Sequence, residues 1–279
     1  MDAEFIDLTA ENIADEHLCC IIRMKKPHTG VEAKREWLAA RLPEGHVFRK
    51  LNTGDCVFIE YAPLETAWVP VVGENYLYIY CLWVLGAPRG SGYGRALMEH
   101  CIADAKAKGR SGVCMLGAKK QKSWLSDQSF AKKFGFTTVD STADGYELLA
   151  LSFDGSVPRF AESAKRQRTD APGLLVYYDF QCPFILQRVK SCANTARSTA
   201  SPPRLNWWTR SKRRSRCHAC STTGRRSGTA ASSASTSLTA RRWKRSSAAR
   251  PGLDKTWARD YHVYNEIIRS AWNETMHGF

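Results

Sequence analysis

No apolar run in this 279-residue sequence approaches the ~18 residues that a membrane-spanning helix needs. Residues 1–4 are acidic and lack the basic and apolar regions of a secretory signal peptide. The ten cysteines form no disulfide-like pattern, and Cys56, Cys81 and Cys114 fall within apolar runs, as small core residues do. These absences predict a cytoplasmic protein with no membrane partner.

The segment 191–250 contains no Asp, Glu, Val, Ile, Phe or Tyr. Leu205 and Leu238 are its only large aliphatic residues, and nothing acidic pairs with its fourteen Lys and Arg. Such a segment buries too little apolar surface to offset the entropy of ordering it, so we expect disorder. One interpretation is a basic tail that binds nucleic acid through charge and tryptophan stacking. The other is a shifted reading frame that begins at about Ser191.

Net charge differs sharply between the two parts of the chain. Residues 1–160 carry a net charge of about −1, whereas residues 161–279 carry about +15, so the total of +14 belongs to the second half. A domain of ~150 residues is long enough to bury its own core. The pair Cys217 and Cys220 has the spacing of half a zinc site, but no second pair lies near it, and we expect no metal.

A glycine-rich turn is the most informative motif that is present. The apolar run 76–85 ends in Gly86, and the turn then joins a helix-like segment at 92–108. The turn itself consists of Arg89, Gly90, Ser91, Gly92, Tyr93, Gly94 and Arg95. A glycine-rich turn that opens a helix directs several backbone N–H groups toward one point, at the positive end of the helix dipole. The turn therefore predicts a site for a phosphorylated ligand.

The spacing within the turn selects among phosphate-binding motifs. Gly94 is followed by Arg95 and Ala96 rather than by Lys and Ser or Thr, which excludes a Walker loop, and Arg95 occupies the third glycine position of a dinucleotide fingerprint. The pattern Arg-x-x-Gly-x-Gly, from Arg89 to Gly94, resembles the pyrophosphate loop of the GNAT superfamily of N-acyltransferases. That resemblance implies acetyl-CoA as the co-substrate.

The flanking sequence agrees with this resemblance over residues 1–153. Apolar residues recur at helical spacing through 92–108, and strand-like runs follow at 112–116 and 146–153. A helix-like run at 126–133 precedes a Gly-Phe pair, as in GNAT proteins, and helical runs are also predicted at 11–23 and 30–42. The resemblance implies an α/β (α+β) domain with a mixed, mostly antiparallel sheet flanked by helices.

The resemblance also implies where acetyl-CoA is held. The backbone N–H groups of Gly90 to Arg95 would bind the pyrophosphate. In GNAT enzymes the fourth and fifth strands separate, and the pantetheine arm lies between them; the corresponding runs here are 76–85 and 112–116. Backbone groups of Trp83, Val84 and Leu85 would then meet the pantetheine and the thioester.

The acid and base of the transfer are less conventional in this sequence. Many GNAT enzymes have a tyrosine four residues before the glycine of the Gly-Phe pair, and Ala131 stands there. We therefore expect Tyr80 or Tyr78, on the strand beside the cleft, as the replacement acid. Glu60, on the third strand, is the candidate general base, because transfer requires a deprotonated amine.

The remaining regions are predicted as a linker at 154–173, a domain start at 174–190 and an amphipathic helix within 251–279. The run 174–190 places Cys182 after a strand at the start of a helical stretch, which resembles a thioredoxin-like, YoaP-type domain that is then disrupted. A helix N-terminus at that point would lower the pKa of Cys182. The alternative interpretation is a cysteine that merely packs at the end of a strand.

The resemblance to the GNAT superfamily thus implies an N-acetyltransferase that transfers an acetyl group from acetyl-CoA to an amine, either a small molecule or a protein amino group. Two alternatives from another class remain open. One is a binding module that holds acyl-CoA without catalysing transfer, which the missing tyrosine favours. The other is nucleic-acid binding through the basic segment.

Overall fold

The computed structural model describes residues 4–21, 28–166, 175–187, 189 and 204–207. The helices are α1 (Thr29–Arg41), α2 (Tyr93–Ala107), α3 (Gln128–Lys132) and α4 (Glu162–Arg166). The first strands are β1 (Phe5–Asp7), β2 (Val47–Leu51), β3 (Val57–Pro63), β4 (Val71–Val72), β5 (Tyr76–Val84) and β6 (Gly112–Ala118). They are followed by β7 (Thr137–Ser141), β8 (Tyr146–Ser152), β9 (Arg159–Phe160), β10 (Leu175–Tyr178) and β11 (Arg204–Trp207).

Seven of these strands form one mixed sheet in the order β1-β2-β3-β5-β6-β8-β7. Strands β5 and β6 run parallel, because α2 connects them as a crossover, and every other described pair in this sheet is antiparallel. The predicted fold class, a mostly antiparallel mixed sheet flanked by helices, is thereby confirmed.

The two faces of the sheet bury different layers because successive side chains on a strand point in opposite directions. On β3, Ile59 and Tyr61 pack in a cluster with Leu97, Met98 and other residues of α2. Phe58, from the opposite face of β3, packs in a cluster with Trp37 and Leu38 of α1. We call these the α2 face and the α1 face.

Two local predictions are wrong. The predicted helix at 11–23 is a series of turns over residues 10–15, as far as the chain is described. The Asn12 side chain accepts a hydrogen bond from the Thr9 N–H and donates one to the Asp7 carbonyl, which competes with helical hydrogen bonding. Strand β7 was not predicted, because its side chains are exposed or half-buried at the sheet edge and show no apolar alternation.

Part of the expected linker packs against the domain. Strand β9 pairs with β4, and Phe160 and Ala164 are buried with residues of β5, β6 and β8. Beyond it, β10 pairs in parallel with β11, so four residues of the segment expected to be disordered form a strand, because their backbone groups find partners in β10. The rest of 191–250, including Cys217 and Cys220, and all of 251–279 lie outside the described residues. No described helix combines the length and the apolar character that crossing a bilayer requires.

Candidate active site

The parallel strands β5 and β6 separate partway along their length. Their pairing runs from Tyr76–Gly112 to Ile79–Met115 and then stops, although β5 continues to Val84 and β6 to Ala118. A β-bulge lies at the same level, because Glu60 of β3 is opposite Cys81 while Tyr61 is opposite Ile79, which leaves Tyr80 as the extra residue. The separated ends of β5 and β6 form a cleft that begins at Tyr80.

The glycine-rich turn lies at the end of β5 and leads directly into α2. Gly90 and Gly92 have φ values of +82° and +83°, a conformation that residues with a side chain rarely adopt. A Cβ atom built on either glycine would meet no atom within 4 Å, so the backbone faces open space. The first N–H groups of α2 have no preceding helical carbonyl to bond. The Ser91 N–H already donates to the Pro88 carbonyl at 3.3 Å, and the turn offers its other backbone donors at the positive end of a 15-residue helix.

Two arginines add positive charge to this turn, and both are exposed. Arg95 forms a salt bridge with Glu99 at 3.2 Å, and the Arg89 Nε donates to the Val84 carbonyl at 3.4 Å. The first turn of α2 contains no acidic residue that would compete for the donors. Charge and backbone geometry together suit an anionic ligand.

The backbone groups of the three predicted pantetheine contacts, Trp83, Val84 and Leu85, do not all point to the same side of the strand. Backbone groups alternate in direction along a strand. The Leu85 N–H donates to the Cys56 carbonyl at 2.9 Å, on the side of β3, whereas the Leu82 N–H donates to the Ser126 hydroxyl at 2.9 Å, on the side of the cleft. By this alternation Val84 directs its backbone groups into the cleft, and Trp83 directs them toward β3.

Glu60 occupies the α1 face next to the bulge, at the centre of a buried polar cluster. Its Oε2 accepts hydrogen bonds from Lys34 Nζ at 2.6 Å and from Gln181 Nε2 at 2.9 Å. Its Oε1 lies 3.0 Å from Nε2 of His46. All four side chains are buried, and that of Glu60 has no exposed surface. A carboxylate that is removed from water in this way must be fully paired, and it is.

Charge balance within the cluster follows from these contacts. Burial by itself raises the pKa of the Glu60 carboxyl, but the Lys34 ammonium and the His46 hydrogen bond outweigh it, so the pKa lies below its usual value. Burial lowers the pKa of His46, so its ring is neutral at pH 7. At neutral pH the cluster therefore contains one cation, one anion and a neutral imidazole.

The two candidate tyrosines differ in their position relative to the cleft. Tyr78 lies within the paired part of the sheet, opposite Cys114, and is buried. Tyr80 is only half-buried and lies in the bulge, where the cleft begins. Its hydroxyl accepts a hydrogen bond from the Trp68 N–H at 2.8 Å, and its ring stacks on that of His46 with the centroids 5.2 Å apart. Tyr80 is thus the tyrosine that contacts both the cleft and the Glu60 cluster.

Residues 179–185, which follow β10, pack against the α1 face; we call them the capping turn. Phe180 packs against the apolar cluster of α1, and Asp179, Gln181, Cys182 and Ile185 are buried. Burial raises the pKa of the Cys182 thiol, so the predicted lowering by a helix dipole is wrong.

Sequence reasoning missed several residues of this region. In the sequence, Lys34 resembles an ordinary lysine of a helix and His46 an ordinary histidine of a loop. No local pattern indicates their contact with Glu60. Ala131, at the position of the missing tyrosine, is completely buried in the α2-face cluster, where a tyrosine would not fit without repacking. Among the described residues, no three His, Cys, Asp or Glu side chains form a set that would hold a metal ion.

Gln128 is a further residue that the sequence did not single out. Its Nε2 donates to the Ala118 carbonyl at the end of β6, and a Cβ atom on Gly117 would lie 2.9 Å from its Oε1. That Oε1 is buried and accepts no hydrogen bond within the described part of the chain. A buried acceptor without a donor is costly. This one lies beside the last residues of β6.

Comparison with known proteins adds to this geometry. A model of the acetyltransferase (GNAT) family matches residues 11–136. The uncharacterized N-acetyltransferase YoaP of Bacillus subtilis (strain 168) is 41% identical over 182 residues, which cover 64% of this chain and 72% of that protein. Because the predicted domain has only 153 residues, the likeness to that protein continues beyond it.

Solved structures with a similar course of the chain include two acetyltransferases. The ribosomal-protein-S18-alanine N-acetyltransferase of Escherichia coli is 16% identical, with 55% of this chain and 96% of that chain covered and a TM-score of 0.38. A GNAT acetyltransferase of Brucella melitensis in complex with acetyl-CoA is 15% identical, with 56% and 92% covered and a TM-score of 0.37. On the evidence of the family model and of the 41% identity to the Bacillus protein, the chain belongs to the acetyltransferase (GNAT) family.

Proposed function

We propose that the turn 89–95 binds the pyrophosphate of acetyl-CoA and that the cleft between β5 and β6 holds its pantetheine arm. Membership of the GNAT family makes the chain an N-acetyltransferase with acetyl-CoA as its co-substrate. The observation that carries the placement is the end of β5–β6 pairing at Ile79 and Met115, after which β5 continues to Val84 and leads into the turn that contains Gly90 and Gly92. A thioester arm needs such a gap between strands, and a pyrophosphate needs such a set of donors.

The backbone of Val84 would orient the arm within the cleft. Val84 presents its peptide groups on that side by strand alternation. Trp83 and Leu85 would contribute contacts without backbone hydrogen bonds, because their peptide groups face β3.

The chemistry requires that an amine nitrogen attack the thioester carbon while sulfur leaves with the electrons of the C–S bond. The amine must lose a proton, and the leaving thiolate must gain one. We assign proton acceptance to Glu60, which is ionised at neutral pH because of Lys34. Because Glu60 is buried, the proton would reach it through His46, which would take up the amine proton at Nδ1 and pass the proton of Nε2 to Glu60 Oε1, 3.0 Å away. Tyr80, where the cleft begins, is the proposed acid, and Tyr78 is the second candidate.

Calorimetry with acetyl-CoA tests the placement through two matched variants. Gly92 and Gly155 have φ values of +83° and +84°, and a Cβ atom on either would meet open space, so valine strains both backbones similarly. Only Gly92→Val places a side chain where phosphate must approach. We expect its acetyl-CoA affinity to fall by roughly 100-fold, as for the loss of two charge-assisted hydrogen bonds. Gly155→Val should bind like the parent, and equal affinities in both variants would contradict the placement.

Release of CoA in the presence of a panel of amines tests transfer itself. The panel should contain small amines and peptides with free amino groups, since both acceptor classes are proposed. Tight binding without CoA release from any acceptor would instead favour a non-catalytic binding module.

A further inference from the structure

The capping turn lies on the α1 face of the sheet, over Glu60 and Cys81. It follows β10, more than 20 residues after the last strand of the sheet at Ser152. Gln181 Nε2 donates to Glu60 Oε2 at 2.9 Å and lies 3.7 Å from the Cys81 sulfur. Glu60 and Cys81 are opposite each other on β3 and β5, immediately before the bulge. One side chain of the capping turn thus contacts residues of both β3 and β5, at the level where β5 separates from β6.

The turn is packed closely rather than loosely docked. A Cβ atom on Gly30, in the first turn of α1, would overlap the Pro183 carbonyl group. The ring of His28, which caps α1, contacts the Phe184 ring edge to face at 5.5 Å between centroids. Inside the turn, the Asp179 carboxylate accepts from the Gln181 N–H at 3.0 Å, and the Cys182 carbonyl accepts from the Ile185 N–H at 3.0 Å. These contacts fix the backbone from which the Gln181 side chain extends.

Gln181 completes the set of hydrogen bonds that holds the Glu60 carboxylate. Oε2 is shared between Lys34 and Gln181, and Oε1 is held by His46, so rotation of the carboxylate would break at least one of these bonds. Five described titratable groups interact electrostatically with Glu60. They are Lys34 of α1, Cys81 of β5, Asp179 of the capping turn, and the side chains of Cys19 and His46, which lie outside these elements. Of the two described groups that donate to Oε2, Lys34 is charged and Gln181 is neutral, so Gln181 adds orientation without adding charge.

We infer that Gln181 is a positioning residue of the acetyl-transfer site and that the capping turn holds it in place on the α1 face. Gln181 holds the Glu60 carboxylate in the orientation in which it contacts His46, so the catalytic unit extends beyond the acyltransferase domain. This inference rests on the proposed function, in which Glu60 accepts the proton.

Gln181→Met tests the role of the carboxamide, because methionine has nearly the same shape and no donor. Loss of one hydrogen bond to the ionised carboxylate should raise the pKa of Glu60 by about one unit. The acidic limb of the kcat–pH profile should move by the same amount, and kcat at neutral pH should fall by roughly 10- to 100-fold as Glu60 loses its orientation. Acetyl-CoA affinity should not change. A kcat and a pH profile equal to those of the parent would overturn the inference.

Gly30→Ala tests the position of the turn without touching Gln181. The added methyl group must displace Pro183, although alanine otherwise favours a helix. We expect the same upward shift of the acidic limb, together with faster alkylation of Cys182 by iodoacetamide, measured by peptide mass spectrometry. Gly54→Ala is the matched control, because its Cβ atom would meet nothing within 4 Å. An acidic limb that stays in place in Gly30→Ala while Cys182 becomes reactive would overturn the inference.

A readout that does not depend on turnover separates this inference from the proposed function. Carbon-13 NMR of labelled glutamate side chains, assigned with Glu60→Gln, gives the Glu60 pKa directly. A parent protein without acetyl transfer to any amine would refute the proposed function. An unshifted Glu60 pKa in Gln181→Met would refute the positioning role, whether or not transfer occurs.

Discussion

At the scale of single residues, the Lys34–Glu60 ion pair is the most sensitive point of the structure. Both side chains are buried, with 2% and 0% exposed, so loss of either leaves an unpaired charge away from water. Lys34→Met should lower the free energy of unfolding by about 3–5 kcal/mol. The double variant Lys34→Met/Glu60→Gln removes both charges and should recover most of that loss. Urea denaturation measures both changes.

Lys50 provides a matched control for that prediction. It is as buried as Lys34 and lies 2.6 Å from Glu16, but Glu16 is 26% exposed and can be hydrated when its partner is removed. Lys50→Met should therefore destabilise the protein less than Lys34→Met. Equal losses would mean that buried lysine packing, rather than the charge left behind on Glu60, determines the effect.

Asp179 makes stability depend on pH. Burial first, and Glu60 in addition, raises its pKa to about 7, whereas an unfolded aspartate has a pKa of about 3.9. The folded state therefore prefers the protonated acid. Its contribution to stability is complete below pH ~4 and is lost as the pH rises through about 7.

Asp179→Asn should remove this pH dependence while it keeps the oxygen that accepts from the Gln181 N–H. We expect the parent to lose more stability than the variant between pH 5 and pH 8, when the midpoints of urea unfolding are compared. Indistinguishable pH dependences would show that Asp179 does not titrate in this range.

At the scale of elements, β9 and α4 hold the segment after β8 against the sheet. Phe160 is buried, its N–H donates to Asp140 at 2.8 Å, and Lys165 forms a salt bridge with the same carboxylate at 2.9 Å. Phe160→Ala should cost about 3–5 kcal/mol of stability, as for other buried aromatic residues. Calorimetric or denaturant unfolding measures it, and a loss below 1 kcal/mol would mean that this segment is the simple linker that its composition suggested.

Elements with a strong local signal could be predicted from the sequence, and elements that depend on distant partners could not. The helix Tyr93–Ala107 was predicted to within one residue, because apolar spacing and a terminal glycine define it. Strand β9 has two residues and exists only because β4 pairs with it. The predicted helix at 11–23 failed because side chains near Asn12 bond the backbone in a turn.

The candidate site likewise contains some residues that the sequence identifies and others that it does not. The glycine-rich turn and Glu60 could be found from the sequence, because each stands next to a recognisable strand. The contact between Glu60 and Gln181 joins residues 121 positions apart, and neither local periodicity nor a motif encodes such a distance. The role of Lys34 could not be predicted from the sequence either, because a lysine on a helix is ordinarily exposed.

At the scale of the whole molecule, the packing of the capping turn changes the expected result of limited proteolysis. Composition alone predicts cleavage within 191–250 and a stable fragment that ends near residue 155. Because Gln181 and Ile185 are buried against the sheet, the resistant fragment should instead extend past residue 185. Intact-mass spectrometry of the fragment decides between the two endpoints, and a product that ends near 155 would mean that the capping turn detaches readily.

The position of the capping turn in the chain has a genetic consequence. Each side chain seen to contact Glu60 is encoded before the codon of Ser191, where the composition changes abruptly. If an insertion or deletion in the coding DNA altered the frame at that point, the codons for the proposed acetyl-transfer site would all lie upstream of the lesion. Selection could then preserve acetyl transfer in such an allele while the remainder of the gene drifted.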